Sequence, residues 1–155
     1  MSEALRAAIT EAARLRKEVS EGVPGAGTDP EGLYDFLRLC RAKEDRLEAI
    51  LGELTLYRGK VEKAKSKQDF AVEEAEVAAV PKIKPGDYTT AKERSVEFML
   101  HSLDARRVQR QTEQLMIDAK TAHEYVRLLY WGVDGTRKET ETRLRAITLV
   151  TSLER

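Results

Sequence analysis

The sequence predicts an all-α protein: a long antiparallel helical hairpin of coiled-coil character, with a short N-terminal helix on a flexible linker. Three observations carry this. Ala, Leu, Glu, Lys and Arg make up more than half of the 155 residues, a composition typical of long helices. Proline and glycine punctuation is concentrated at Pro24–Pro30 and Pro81–Gly86, which sets the breakpoints. Between these clusters apolar residues recur at three- and four-residue steps.

The first helix is expected within residues 1–21. Leu5, Ile9, Ala12, Leu15 and Val19 form one thin stripe, and Ser2 is positioned to cap it. Residues 22–28 read as a Gly/Pro linker that leaves this helix mobile. The remainder, 29–155, is the hairpin. Asp29 caps its first arm and Pro30 suits the first helical position. Leu33, Leu37, Cys40, Leu47, Leu51, Leu54 and Val61 then follow a heptad rhythm, with Glu44 and Arg58 as polar exceptions. A helix over 29–79 would be about 75 Å long.

Two prolines, Pro81 and Pro85, forbid a helix through the connection at 80–89. Thr90 and Glu93 then form a capping box that starts the second arm, 90–153. Its stripe begins with Val96, Leu100 and Leu103, thins around Val108, and resumes in shifted phase from Leu115. A phase shift means a bend or a change of partner, and Trp131-Gly132-Val133-Asp134-Gly135 is the expected bend. Two such helices bury little surface alone, so the chain is expected to form a homo-oligomer. Leu128–Val133, with Tyr130 and Trp131, is the most apolar and aromatic stretch of the second arm; core packing is its default role and a subunit interface the sharper alternative.

Enzymatic chemistry is not expected. His101 and His123 lie about 33 Å apart on a continuous helix, too far to share a metal. Neither lies in a Glu-x-x-His pair or a zincin motif, so no metal is expected. Cys40 lies on the apolar stripe, where a small buried hydrophobe is the ordinary role. No strand-borne Gly-rich loop exists to cradle a phosphate, and no cofactor is implied. The longest uncharged run, Ala146–Leu153, is too short for a membrane span. With a single cysteine and no apolar leader at Met1–Thr10, the chain is expected in the cytoplasm, away from membranes.

Charge is balanced overall, 27 basic against 27 acidic side chains, but it is segregated. Residues 1–56 carry 8 bases and 11 acids; the next stretch places Arg58, Lys60, Lys63, Lys65 and Lys67 against Glu62 alone. Lys60, Lys63 and Lys67 share one helical face, flanked by Tyr57 and Phe70. Lys82 and Lys84 follow in the loop with Tyr88, and Lys92 and Arg94 open the next helix. Cations that track phosphates, interleaved with rings that stack on bases, suit single-stranded nucleic acid; a plain solvated helix face is the alternative. Arg106, Arg107 and Arg110 form a further cluster, expected to pair with acids of the first arm such as Glu44 or Glu48.

Leu54-Thr55-Leu56-Tyr57-Arg58-Gly59-Lys60, with Leu129-Tyr130-Trp131-Gly132-Val133, Arg137-Lys138 and Arg143-Leu144-Arg145-Ala146-Ile147, resembles the phage recombination mediators of the UvsY type. The likeness spans Leu33 to Ile147 and leaves the first helix unmatched; the neutral charge and the Pro81–Gly86 loop depart from it. The resemblance implies a helical ring in the host cytoplasm that binds single-stranded DNA and helps load a recombinase by displacing a single-strand-binding protein. It would place DNA at Arg58, Lys60 and Lys63, extended by Lys65 and Lys67, and subunit contacts within Tyr125–Ile147, at Tyr125, Leu129, Tyr130, Trp131, Val133, Leu144 and Ile147. Two competing expectations involve protein partners only: a helical scaffold, adaptor or virion component, and a regulator that docks through residues 1–21.

Overall fold

The computed structural model describes residues 1–83 and 90–153. They form four α-helices, α1 (Glu3–Glu21), α2 (Pro30–Ala79), α3 (Ala91–His101) and α4 (Leu103–Leu153), with one 3₁₀ turn at Val80–Lys82. No strand occurs among the described residues, and the chain is all-α. It divides into two compact units, Met1–Thr55 with Thr121–Arg155, and Leu56–Lys120.

The first unit is a three-helix bundle. Ser2 caps α1, its side-chain oxygen accepting from the Leu5 N–H at 3.4 Å. The Asp29 carboxylate caps α2 by accepting from Gly32 N at 2.8 Å. In α1, Leu5, Ala12, Leu15 and Val19 are fully buried. The helix therefore finds its partner within the chain, and the expectation of a mobile N-terminal helix is corrected. Glu11 of α1 accepts a two-pronged bond from Arg46 of α2, at 2.8 and 3.1 Å, and Glu18 pairs with Lys43. The order of these pairs makes α1 and α2 antiparallel.

The linker at 22–28 is tied down as well. Arg143 of α4 donates to the carbonyl of Pro24 at 2.9 Å and to that of Gly25. Gly22 ends α1 so close to α2 that an added Cβ would sit 3.5 Å from both Phe36 and Leu39. Burial of Phe36 and Ile50, in addition to the heptad stripe, shows that α2 has two covered faces here.

In this unit α4 lies antiparallel to α2. Leu33 and Leu37 pack with Leu144 and, partly, Ile147. Arg137 reaches Glu44 at 2.8 Å, and the Tyr130 hydroxyl donates to Glu48 at 3.0 Å. The helix runs without interruption through 131–135, contrary to the expected bend. Gly132 serves close approach instead: a Cβ there would lie 2.8 Å from Nε of Arg16 on α1. Val133 beside it is fully buried.

The second unit contains the end of α2, the 3₁₀ turn, α3 and the start of α4. Thr90 and Glu93 make the reciprocal capping box expected from their spacing. The second arm breaks at Ser102, not at 131–135. There the Ser102 hydroxyl donates to the Phe98 carbonyl at 2.9 Å and accepts from Arg106 Nε at 2.9 Å. The break is a local turn at Ser102, with φ −101° and ψ 8°, across which Ser102 N–H still donates to the Phe98 carbonyl at 3.1 Å and Arg106 N–H to that of Ser102 at 2.9 Å. Asp69 of α2 accepts from Gln109 of α4 at 2.7 Å, and Glu76 pairs with Arg106, so these segments are antiparallel too. By contrast, α3 has no buried residue, and Val96, Met99, Leu100 and the adjoining Leu103 are exposed.

Candidate nucleic-acid interface

All the cations singled out in the sequence fall in the second unit, except that Lys84 lies outside the described residues, as does Tyr88. This unit carries 13 basic and 11 acidic side chains, the other 14 and 16. The excess of positive charge is thus local although the chain is neutral.

On α2, Val61 and Val72 are buried, which fixes the orientation of the helix. Lys60, Lys63, Lys67 and Phe70 follow at steps of three and four residues, and all are exposed. Among the described residues none of these three lysines makes an ion pair. Phe70, 59% exposed, extends the row with an aromatic ring. Tyr57, at the other end, is half-buried.

Lys65 differs. It lies beside the buried stripe and binds Asp69 at 2.7 Å. That bond raises the Lys65 pKa, while Asp69 is held below the usual carboxylate range first by Gln109 and then by Lys65. Arg58 is exposed two residues before Lys60, which places it on a different side of the helix. Lys82 ends the 3₁₀ turn and Lys92 lies in the first turn of α3, both exposed. Arg94 is half-buried, and its Nε is buried without a hydrogen-bond partner. The eight described candidates therefore separate into the row Lys60, Lys63 and Lys67, the neutralised Lys65, Arg58 on another side of α2, and Lys82, Lys92 and Arg94 on other elements.

The second basic cluster behaves partly as expected. Arg106 does pair across helices, but with Glu76, because the antiparallel register places Arg137 opposite Glu44 and Tyr130 opposite Glu48. Arg107 and Arg110 are exposed.

The residues assigned to a subunit interface are divided by the fold. Val133 and Leu144 are buried in the first unit's own core, and Ile147 packs against that core. They are unavailable to another chain, which corrects that assignment. The reason is α1, which supplies the covering layer expected from a second subunit. Leu129 and Tyr130 are half-buried. Only Tyr125 and Trp131 of the set are exposed, with Leu128 beside them, and Arg127 sits over the Trp131 ring at 4.9 Å. The apolar stripe of residues 1–21 is likewise consumed within the chain, which removes it as a docking face.

Among the described residues no group of His, Cys, Asp and Glu could hold a metal ion. No helix is long and apolar enough to cross a membrane. Cys40 is fully buried, and desolvation followed by the nearby Glu44 charge pushes its thiol up to about 11. At neutral pH it is a packed thiol rather than a thiolate.

Two features escaped the sequence reading. The second buried face of α2 was legible in Phe36 and Ile50, which lie off the heptad row and about four turns apart on one side of the helix. A cleft lined by Glu76, Arg94, Phe98 and Arg106 had no signal, because its walls come from three helices. Comparison with known proteins finds no matching family model, no matching curated sequence and no matching solved structure.

Proposed function

We propose that this chain is a non-enzymatic, self-associating helical protein that binds single-stranded DNA and assists recombination. One observation carries the reading: the exposed row Lys60, Lys63, Lys67 and Phe70, whose lysines have no acidic partner among the described residues. Unpaired cations at helical spacing suit a flexible phosphate backbone, and a ring in line with them suits a base. Recombinase loading enters from the likeness to UvsY-type mediators. Self-association is supported by the exposed apolar residues Val96, Met99, Leu100 and Leu103, and by Leu128 and Trp131.

Binding to a labelled oligothymidylate is expected to weaken with salt at a log–log slope of roughly −0.7 per neutralised phosphate. The triple variant Lys60→Glu, Lys63→Glu, Lys67→Glu should lose binding while keeping its helicity and its size by light scattering. Undiminished affinity of that variant at low salt would overturn the reading.

A second reading is favoured by the exposed α3 ridge: a scaffold or virion component that binds protein only. It requires assembly by light scattering with no salt-sensitive binding to oligonucleotides.

A further inference from the structure

The end of α2, the whole face of α3 around Arg94 and the start of α4 enclose an open cleft of about 510 Å³. That lies within the range of about 300–1,000 Å³ typical of ligand clefts. Its lining is chemically uneven. Glu76 and Arg106 neutralise each other across it, and Arg106 also donates to Ser102. Arg94 has no such counter-charge among the described residues, and its buried Nε–H has no acceptor there. The guanidinium lines the cleft, so its uncompensated charge favours an anionic ligand. Ser95 adds a hydroxyl, while Phe98 and Met99 form an apolar wall.

From this arrangement we infer that the cleft is a nucleotide subsite, in which Arg94 binds one backbone phosphodiester and the Phe98 ring stacks on the adjoining base. The inference rests on the reading of this chain as a binder of single strands, and it adds a base-dependent contact to the purely electrostatic lysine row. The charge count selects the ligand. One uncompensated guanidinium matches the single negative charge of a phosphodiester better than the double charge of a terminal phosphate. A planar base matches an aromatic wall, which a bare polyanion would leave exposed.

The test uses the full chain and fluorescence anisotropy with two labelled strands of equal length, oligothymidylate and an abasic strand. The parent should prefer thymidylate by about fivefold or more, the low end of stacking on one ring. Phe98→Leu keeps an apolar side chain of similar volume and should abolish that preference while leaving abasic binding unchanged. Arg94→Gln, at a side chain that makes no bond in the fold, should weaken both strands by about tenfold. Equal binding of both strands by the parent, or a preference that survives Phe98→Leu, overturns the subsite. If the lysine triple variant alone loses binding, the lysine row stands and the subsite falls. If the parent binds neither strand, both fall together.

Discussion

Both units of this protein use a third helix beside segments of α2 and α4, and the two third helices behave differently. In the first unit α1 buries Leu5, Ala12, Leu15 and Val19 and exchanges ion pairs with α2 through Glu11 and Glu18. In the second unit α3 buries nothing and leaves Val96, Met99 and Leu100 exposed. The charges follow the same division. Lys43, Arg46 and Arg137 of the first unit are all answered by acids on a neighbouring helix. Lys60, Lys63 and Lys67 of the second point away from its core and are answered by none among the described residues. A helix seals a bundle when its apolar stripe is long enough to be matched turn by turn. At 11 residues against 19, α3 offers fewer turns to match. The lesson is that a matched third helix draws both its apolar stripe and its acids into the fold, while an unmatched one leaves a whole ridge in solvent.

The contrast can be broken most sharply in the cores. Leu15→Ala should lower the free energy of unfolding by about 2–4 kcal/mol, a core deletion with its cavity. Leu100→Ala, at a side chain already in solvent, should change it by less than about 0.5 kcal/mol. Urea unfolding followed by circular dichroism checks both, and a large loss at Leu100 would show that α3 is covered in solution, as in an oligomer.

Next in size is the polar network. Arg137 is largely buried and bonded to Glu44, Glu141 and Asp134, so Arg137→Ala should cost about 2 kcal/mol. Arg106→Ala removes a pair whose side chains are each about a third exposed, and should cost less than about 1 kcal/mol. Thermal melts of the two variants distinguish them, and equal losses would erase the proposed difference between the units.

Acid should act in the same direction more gently. Glu11 is held below its ordinary value of 4.5 mainly by its bond from Arg46, Glu18 mainly by Lys43, and Asp134 mainly by Lys138. Groups with depressed folded pKa values stabilise the fold above their unfolded values and lose that contribution as pH falls through the folded ones. The first unit should therefore loosen progressively below about pH 4.5. Hydrogen exchange of α1 amides between pH 6 and pH 3.5, corrected for intrinsic rates, should report it, and Glu11→Gln should flatten the profile.

The smallest effect should be the same in both units. Gly52 and Gly59 lie in the interior of α2 with open space where a Cβ would go. Each change to alanine should stabilise by about 0.5–1 kcal/mol through helix propensity. A loss at Gly59→Ala alone would mean that the second unit approaches another surface there.

Much of the fold could be read locally. The Ser2, Asp29 and Thr90–Glu93 caps, the end of α2 at Ala79 before Pro81 and the stripe from Leu33 to Val61 appear where their spacing placed them. These features depend on residues within a few positions of one another. The break at Ser102 was missed because one serine in a helical run carries no signal until its hydroxyl and Arg106 meet. The bend assigned to Gly132 was wrong because a glycine pair reads identically whether it flexes a helix or admits a neighbour, here Arg16. Among the candidate site residues, helical periodicity groups Lys60, Lys63 and Lys67 and sets Asp69 one turn from Lys65, yet it could not tell that Gln109 of α4 would hold Asp69 in place.

By itself, then, the sequence determined where helices begin, where proline ends them and which residues share a face, because backbone geometry and hydrogen-bond supply act over one or two turns. Tertiary structure alone decided that α1 closes a bundle instead of waiting for a partner, that Val133 and Leu144 belong to an internal core, and which cations remain unpaired. Those outcomes turn on which faces meet across a hundred residues of chain. A stripe or a charge has the same periodicity whether its complement comes from the same molecule or from another.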